Sequence, residues 1–510
     1  MQFKDAMRWR AIQLATGFFL SLSFSAYARE EASKPLFLTE LQRELSAHVA
    51  QPKFAAAQWG VKVVSLDSGA VLFETNAQKL LKPASNAKIF TGAMALDVLK
   101  PETRIRTSLL AREGPEANGK LAGDLIIYGR GDPTFSARFQ NGSYSNLLGR
   151  IVEAIRAAGV KEVAGDLVGD ETFFSGPRLG SGWTWDDLQY YYGAEVSSLS
   201  VQDNVVDLTI TPGAKGGEPC KIGMKPESGY LEFVNRTRTT GTNVSAAISV
   251  IRPVGERRVY ITGTLPLKYG TYVDAVTVPD PARWFVEMLR EALAKESIVI
   301  RGKARTRSWP DDPKLDASKQ KEIGFTESVP IGEIIPNMLK PSQNLYAQLL
   351  LLQTGARSLQ TGGSTEDLGI KELRAFVKRA GIDPGEVLLE EGSGLSRSGL
   401  VTPNALAEVL KYVAAQPYRN MFREALPGPG EGTLRSRFRD WREGPGAKKV
   451  ELRAKTGSLR NVSSLSGYLR RGDGENLAFA LMLNGYDGAT NARDEVEAIV
   501  RILARGAAGK

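Results

Sequence analysis

The strongest constraint on how this chain can fold is an abrupt change of pattern near residue 97. Before it, "WGVKVVSLDSGAVLFETN" gives two β-rich runs about an Asp67-Ser68-Gly69 turn, which reads as a hairpin. "LLKPASNAKIFTGAMALDVL" follows, with Ile89, Phe90, Ala93, Met94 and Leu96 at helical spacing. From 97 to about 278, short β-rich runs such as "GDLIIYGRGDPTF" and "RRVYITGTLPL" alternate with Gly, Pro, Asn and Asp, so this stretch reads as strand-dominated. Helical spacing returns at "DPARWFVEMLREALAKE" and continues through "NLYAQLLLLQ", "GIKELRAFVKRAG" and "TPNALAEVLKYVAAQ". The chain then reads strand, turn, strand, strand and a last helix, "ARDEVEAIVRILARG". At 510 residues it exceeds what one core usually supports. These patterns predict a discontinuous domain of residues 29–96 and 305–510. A β-rich insert of two subdomains occupies 97–304, with a nested subdomain at about 175–260.

Residues 1–28 are set apart from fold reasoning. Lys4, Arg8 and Arg10 precede the apolar run "AIQLATGFFLSLSF", and Ala26-Tyr27-Ala28 supplies a small-x-small cleavage site. This is the pattern of a secretory signal peptide, and it predicts an exported protein without a stable membrane anchor. With Cys220 as its one cysteine, the chain forms no internal disulfide. Its formal charge of +9 falls to about +7 without the leader. The basic residues are scattered, which argues against a nucleic-acid partner and suits an anionic envelope polymer equally well.

There is one histidine, His48, in "LTELQRELSAHVAQ" near the start of the mature chain, where it reads as a helix-surface residue. A Ser-His-Asp triad needs a histidine in the cleft, and zinc sites usually need several His or Cys ligands. One of each makes both unsuitable, and no metal or cofactor is expected. A serine enzyme built from this chain needs another proton acceptor.

"KPASNAKIF" supplies one. Ser85 and Lys88, at i and i+3, share one face of a helix start, where unpaired backbone N–H groups favour negative charge. A carbonyl attacked by such a serine becomes an oxyanion that finds donors there, and a lysine with a lowered pKa can take the serine's proton. S-x-x-K alone recurs by chance in long chains. Two further elements raise its weight. "KPSQNLYAQLL" sets Ser342, Gln343 and Asn344 on a Pro-marked turn before an apolar helix, where a plain helix cap is the simpler reading of that piece alone. "LRAKTGSL" sets Lys455, Thr456 and Gly457 in a strand, with Lys455 expected to carry a fixed positive charge and Gly457 to admit a substrate to the backbone.

S-x-x-K, S-x-N and K-T-G in this order resemble the signature of penicillin-recognising serine enzymes. Ser342 follows Ser85 by 257 residues. That long β-rich interval resembles the class C low-molecular-mass penicillin-binding proteins, the D-alanyl-D-alanine carboxypeptidase/endopeptidase group of peptidase family S13 (penicillin-binding protein 4 type). "GRGDPTF", "YYGAEVSSLSVQDN", "EEGSGLSR" and "LPGPGEGTLRSR" look like that family too, so the resemblance spans nearly all of the mature chain. Gln343 and Glu391-Gly392 depart from its usual pattern.

The resemblance implies an α+β fold of α/β-sandwich type: a transpeptidase-like domain whose antiparallel sheet is flanked by helices. It implies a periplasmic serine peptidase acting on peptidoglycan stem peptides, at D-Ala-D-Ala termini and at D-Ala-diaminopimelate crosslinks, and acylated by β-lactam antibiotics. Ser85 would be the nucleophile, Lys88 its base, Ser342 a proton shuttle and Lys455 the group holding both in the right electrostatic state. Asn344 would orient the substrate amide and Thr456 would bind the terminal carboxylate. The N–H groups of Ser85 and Ser458, beside Gly457, would form the oxyanion hole. Asp170 and Arg397 would grip a zwitterionic substrate terminus, though a turn aspartate and a surface arginine are equally good readings. A non-catalytic wall-binding scaffold and a β-lactamase stay as alternatives. A homodimer stays open.

Overall fold

The structure is a computed structural model that describes residues 39–358, 363–438, 441, 450–488 and 491–505; the leader read at 1–28 lies outside them. The chain folds as a mixed α/β protein.

Its central sheet joins the two ends of the sequence. Strands Gln58–Ser65 and Val71–Thr75 form the expected hairpin. Glu451–Leu459, Val462–Arg470 and Asn476–Asn484 form an antiparallel meander beside it. The seam is antiparallel, with Gln58 opposite Asn484 and Ser65 opposite Leu477. Glu451–Leu459 lies at one edge of this five-stranded sheet and Val71–Thr75 at the other.

Helices cover both faces, which is why "NLAFALMLN" reads as an almost continuous apolar run rather than an alternating one. On one face Leu45 and Val496, from helices Glu40–Val49 and Ala492–Ala504, pack against Val61, Leu465 and Leu481. On the other lies helix Pro403–Ala414 and, beyond it, Ala87–Val98. Every residue from Ala87 to Leu96 is buried. An all-round apolar helix belongs inside a protein, and this one is enclosed by Ile331–Leu339, Asn344–Ala356, Thr365–Arg379 and Pro403–Ala414. That burial fixes the helix carrying Lys88 on all sides.

A second core draws its residues from 109 to 304. Its main sheet is mixed, in the order Ala304–Arg307, Leu167–Asp170, Leu125–Tyr128, Arg106–Ala111, Lys321–Glu327. This sheet continues to Glu327, past residue 304, where the sequence reading ends the insert. Three three-stranded sheets accompany it among the described residues. One orders Tyr272–Thr277, Val205–Thr211, Lys221–Lys225, a second Glu232–Thr240, Arg258–Pro266, Ala247–Ile251, and a third Val299–Ile300, Glu162–Val163, Lys120–Leu121. The stretch is not purely strands. Gly149–Ala157 is a helix because Ile151, Val152 and Ile155 form an apolar stripe that the core covers.

His48 departs from the surface position expected of it. It packs against Phe54 and Trp59, with Nε2 3.4 Å from the Glu495 carboxylate.

Candidate active site

Ser85 stands in the turn Ala84–Asn86 that leads into helix Ala87–Val98. Ala84 has a positive φ of 49°, a conformation that residues with a Cβ rarely adopt. The strands behind hold it there. Ser464 Oγ donates to the Pro83 carbonyl at 2.7 Å, and Asn86 Nδ2 donates to Ser466 Oγ at 3.2 Å. Buried serines in Val462–Arg470 therefore anchor the turn that carries Ser85. Gly457 is needed in the same place, since a Cβ there would fall 2.2 Å from Ser464 Oγ and 2.5 Å from the Pro83 oxygen.

The motif side chains converge. Lys88 Nζ donates to Ser85 Oγ at 3.0 Å, to Asn344 Oδ1 at 2.5 Å and to the Ser393 carbonyl at 2.8 Å. Lys455 Nζ donates to Ser342 Oγ at 2.8 Å and to the Thr456 carbonyl at 2.8 Å. Asn344 Nδ2 donates to the Tyr192 carbonyl at 2.8 Å, and Thr456 Oγ1 donates to Thr433 Oγ1 at 2.7 Å. Ser85, Ser342, Asn344, Thr456, Ser458 and Arg397 all line one open cleft of about 1160 Å3. The cleft runs beside the 456–459 end of the edge strand Glu451–Leu459; further back the strand's edge is taken up where Ala454 N donates to the Pro427 carbonyl at 3.0 Å.

Both lysines are fully buried. Burial brings Lys88 down to about 7, opposed in part by the Glu391 carboxylate. Lys455 is held well below the usual lysine range by burial and by the charge of Lys88. The charge expected on Lys455 is therefore disfavoured by its surroundings.

Loop 390–397 completes the wall. Glu391, 1% exposed, accepts from the N–H of Ser393 (2.7 Å) and Gly394 (2.5 Å), and from Ser393 Oγ (2.7 Å). This folds the loop so that the Ser393 carbonyl meets Lys88. Gly394, at φ 77°, lies against the Ala84 carbonyl, and a Cβ would come within 2.0 Å of that oxygen.

Asp170 is not in this cleft, which corrects the expectation for it. It ends strand Leu167–Asp170 with no exposed surface, pairs with Arg307 at 2.8 Å, and accepts from Thr172 N and Oγ1 at 2.9 and 2.6 Å. Arg397 does face the cleft. Its carboxylate neighbour is Asp187, at 2.8 Å, and Thr184 Oγ1 lies at 2.6 Å. Asp186 and Asp187 line the cleft with Trp185 and Tyr190–Tyr192. The adjacent acids in the aromatic-rich run "WTWDDLQYYYG" were the available signal for them.

Comparison with known proteins agrees with this geometry. The sequence model described as "D-Ala-D-Ala carboxypeptidase 3 (S13) family" matches residues 41–506. A D-alanyl-D-alanine carboxypeptidase of Actinomadura sp. (strain R39) is 33% identical over 463 residues, covering 88% of this chain and 82% of that protein. The D-alanyl-D-alanine carboxypeptidase DacB of Haemophilus influenzae is 27% identical over 424 residues, covering 83% of this chain and 84% of its own. The crystal structure of penicillin binding protein 4 (dacB) from Haemophilus influenzae superposes with a TM-score of 0.73 at 26% identity, covering 88% of this chain and 96% of that one.

Proposed function

Because the chain belongs to the D-Ala-D-Ala carboxypeptidase 3 (S13) family of serine hydrolases, we propose that it cleaves D-Ala-D-Ala termini and D-Ala-diaminopimelate crosslinks of peptidoglycan through an acyl-enzyme on Ser85. One observation carries the reading: Ser85 Oγ lies 3.0 Å from a fully buried Lys88 whose pKa is brought to about 7. An amine so tuned is about half neutral at neutral pH and can act as a general base.

Lys88 takes the Ser85 proton as Oγ attacks the D-Ala carbonyl. The N–H groups of Ser85 and Ser458 receive the oxyanion. Asn344 holds the scissile amide beside Lys88. Ser342, bonded to Lys455 at 2.8 Å, delivers a proton to the leaving amine. Thr456 receives the terminal carboxylate. Water then enters and releases the acyl group. β-Lactams acylate the same oxygen.

The placement of Arg397 beside Asp187 supports a revised zwitterion grip, in which the guanidinium meets the substrate carboxylate and Asp186 and Asp187 meet its amine. We further propose that the two ends of the chain, up to about residue 96 and from about residue 328 on, form the catalytic unit, and that the insert between them supplies the wall of the cleft at residues 185–192. A periplasmic address accompanies the reading. No helix among the described residues is long and apolar enough to cross a membrane.

The test pairs two measurements. Mass spectrometry of products from purified muropeptide monomers and crosslinked dimers is expected to show loss of D-Ala and dimer splitting. A fluorescent penicillin is expected to label the wild type persistently and to leave Ser85→Ala unlabelled. Absence of label on the folded wild type would favour a scaffold, and rapid nitrocefin turnover a β-lactamase.

A further inference from the structure

Behind Ser342 and Asn344 lies a buried carboxylate to which the steps above give no role. Asp203 is 5% exposed and stands in the middle of three consecutive residues in the left-handed region, Gln202, Asp203 and Asn204, with φ of 46°, 55° and 56°. Residues with a Cβ visit this region singly, and a run of three is strained. The surroundings enforce it. Gln202 N donates to the Phe135 carbonyl at 2.8 Å, Asn204 Nδ2 to the Glu195 carbonyl at 2.8 Å, and Val278 N to the Asn204 carbonyl at 2.9 Å. Strain held by so many partners clusters at functional sites.

The turn delivers one carboxylate to one place. Asp203 Oδ1 accepts from Tyr346 OH at 2.6 Å, and Oδ2 accepts from Gln343 Nε2 at 3.1 Å and from Arg138 Nε at 2.6 Å. Gln343 cannot turn over to suit another partner. Its side-chain oxygen caps helix Asn344–Ala356 by accepting from Leu345 N at 3.2 Å, so its nitrogen must face Asp203. Gln343 sits between Ser342 and Asn344. Ser342 has φ 66° and reaches Lys455; Asn344 reaches Lys88. Tyr346, on the first turn of the same helix, has no exposed surface. Burial and the neighbouring Asp203 charge keep its phenol a donor.

We propose that Asp203 is a positioning residue: by gripping Gln343 and Tyr346 from the insert's side, it fixes the turn that sets Ser342 Oγ against Lys455 and the Asn344 amide against Lys88. This rests on the roles proposed above for Ser342 and Asn344. Small displacements of such groups are magnified in rate, because a shift of about 1 Å can cost about 100-fold.

The experiment is a double-mutant cycle read by stopped-flow acylation with a fluorescent penicillin and by kcat and KM on a D-Ala-D-Ala peptide, well below each variant's Tm. Asp203→Ala removes the acceptor of both Gln343 Nε2 and Tyr346 OH. It is expected to lower acylation and kcat by about 30-fold or more, with KM within about twofold. Gln343→Glu added to it is expected to cost no more than about threefold further, because the contact it would disturb is already gone. A purely structural residue would change Tm and leave kcat alone. Wild-type kcat in Asp203→Ala, or losses that multiply in the double variant, overturn the proposal. Gln343→Glu alone, which keeps an oxygen for Leu345 N and sets a carboxylate against Asp203 in place of the donated bond, gives a second reading should Asp203→Ala fail to fold: a lowered kcat supports the proposal and an unchanged one overturns it. Failure of the wild type itself to acylate at Ser85 would instead overturn the hydrolase reading.

Discussion

The floor of the cleft and its wall are built on opposite principles. The floor holds Lys88 and Lys455, each without exposed surface, bonded to the hydroxyls of Ser85 and Ser342. The wall holds Trp185, 77% exposed, with Tyr190, Tyr191 and the Asp187–Arg397 pair beside it. Desolvation tunes the floor, where the proposed proton transfer needs no histidine. The wall exposes Trp185, Tyr190 and Tyr191 around a buried Asp187 paired with a partly exposed Arg397, as suits recognition of a ligand that must enter and leave. Reaction and selectivity are thus separable by substitution.

The largest effect should come from the floor. Lys88→Arg keeps a cation but cannot yield a neutral base, and a general base contributes roughly 100- to 10,000-fold. Acylation by fluorescent penicillin is expected to fall across that range in a variant with an unchanged fold by circular dichroism. Next comes Gly457→Ala, whose new methyl group must displace Ser464 or the Pro83 carbonyl. Acylation is expected to drop about 100-fold, because the nucleophile turn moves with those atoms. Tm should fall with it, since overpacking costs roughly 1–3 kcal/mol.

Solution pH tests the proposed base. Acting in its neutral form, Lys88, whose pKa burial brings down to about 7, should make kcat/KM rise with pH through that value. Below it, the rate should fall by about tenfold per unit. A profile flat from about pH 5 to about pH 8 would remove Lys88 as the base. The smallest effect should come from the wall. Arg397→Gln is expected to cost about tenfold in kcat/KM for a peptide ending in a free zwitterion, through loss of one charge-assisted contact. Acylation by a penicillin lacking that group should stay within about twofold. Equal losses on both ligands would erase the distinction between floor and wall.

The same distinction governs what could be read in advance. Ser85 and Lys88 are one helical turn apart, and Lys455, Thr456 and Gly457 are contiguous in a strand, so local spacing reveals them before any tertiary contact is known. Asp170 and Asp187 are both aspartates in β-rich, aromatic surroundings, and local sequence does not separate them. What separates them is pairing across 137 positions, which sets strand Ala304–Arg307 beside Leu167–Asp170 and delivers Arg307 to Asp170. Lys455 shows the same limit for electrostatics: its identity was legible, whereas its burial beside Lys88 was not. In helix Gly149–Ala157, three apolar positions were too few to stand out among strands until the core that covers them was seen.

The seam between Gln58–Ser65 and Asn476–Asn484 makes early residues depend on late ones. The buttress behind Ser85 and Lys88, Gly457 to Ser466, and the second amine lie about 370 residues further along the chain. A polypeptide that carries the first alcohol and lysine but lacks this last hairpin therefore lacks the backing that orients them, and such a truncation is expected to lose acylation while sparing every residue of the first motif.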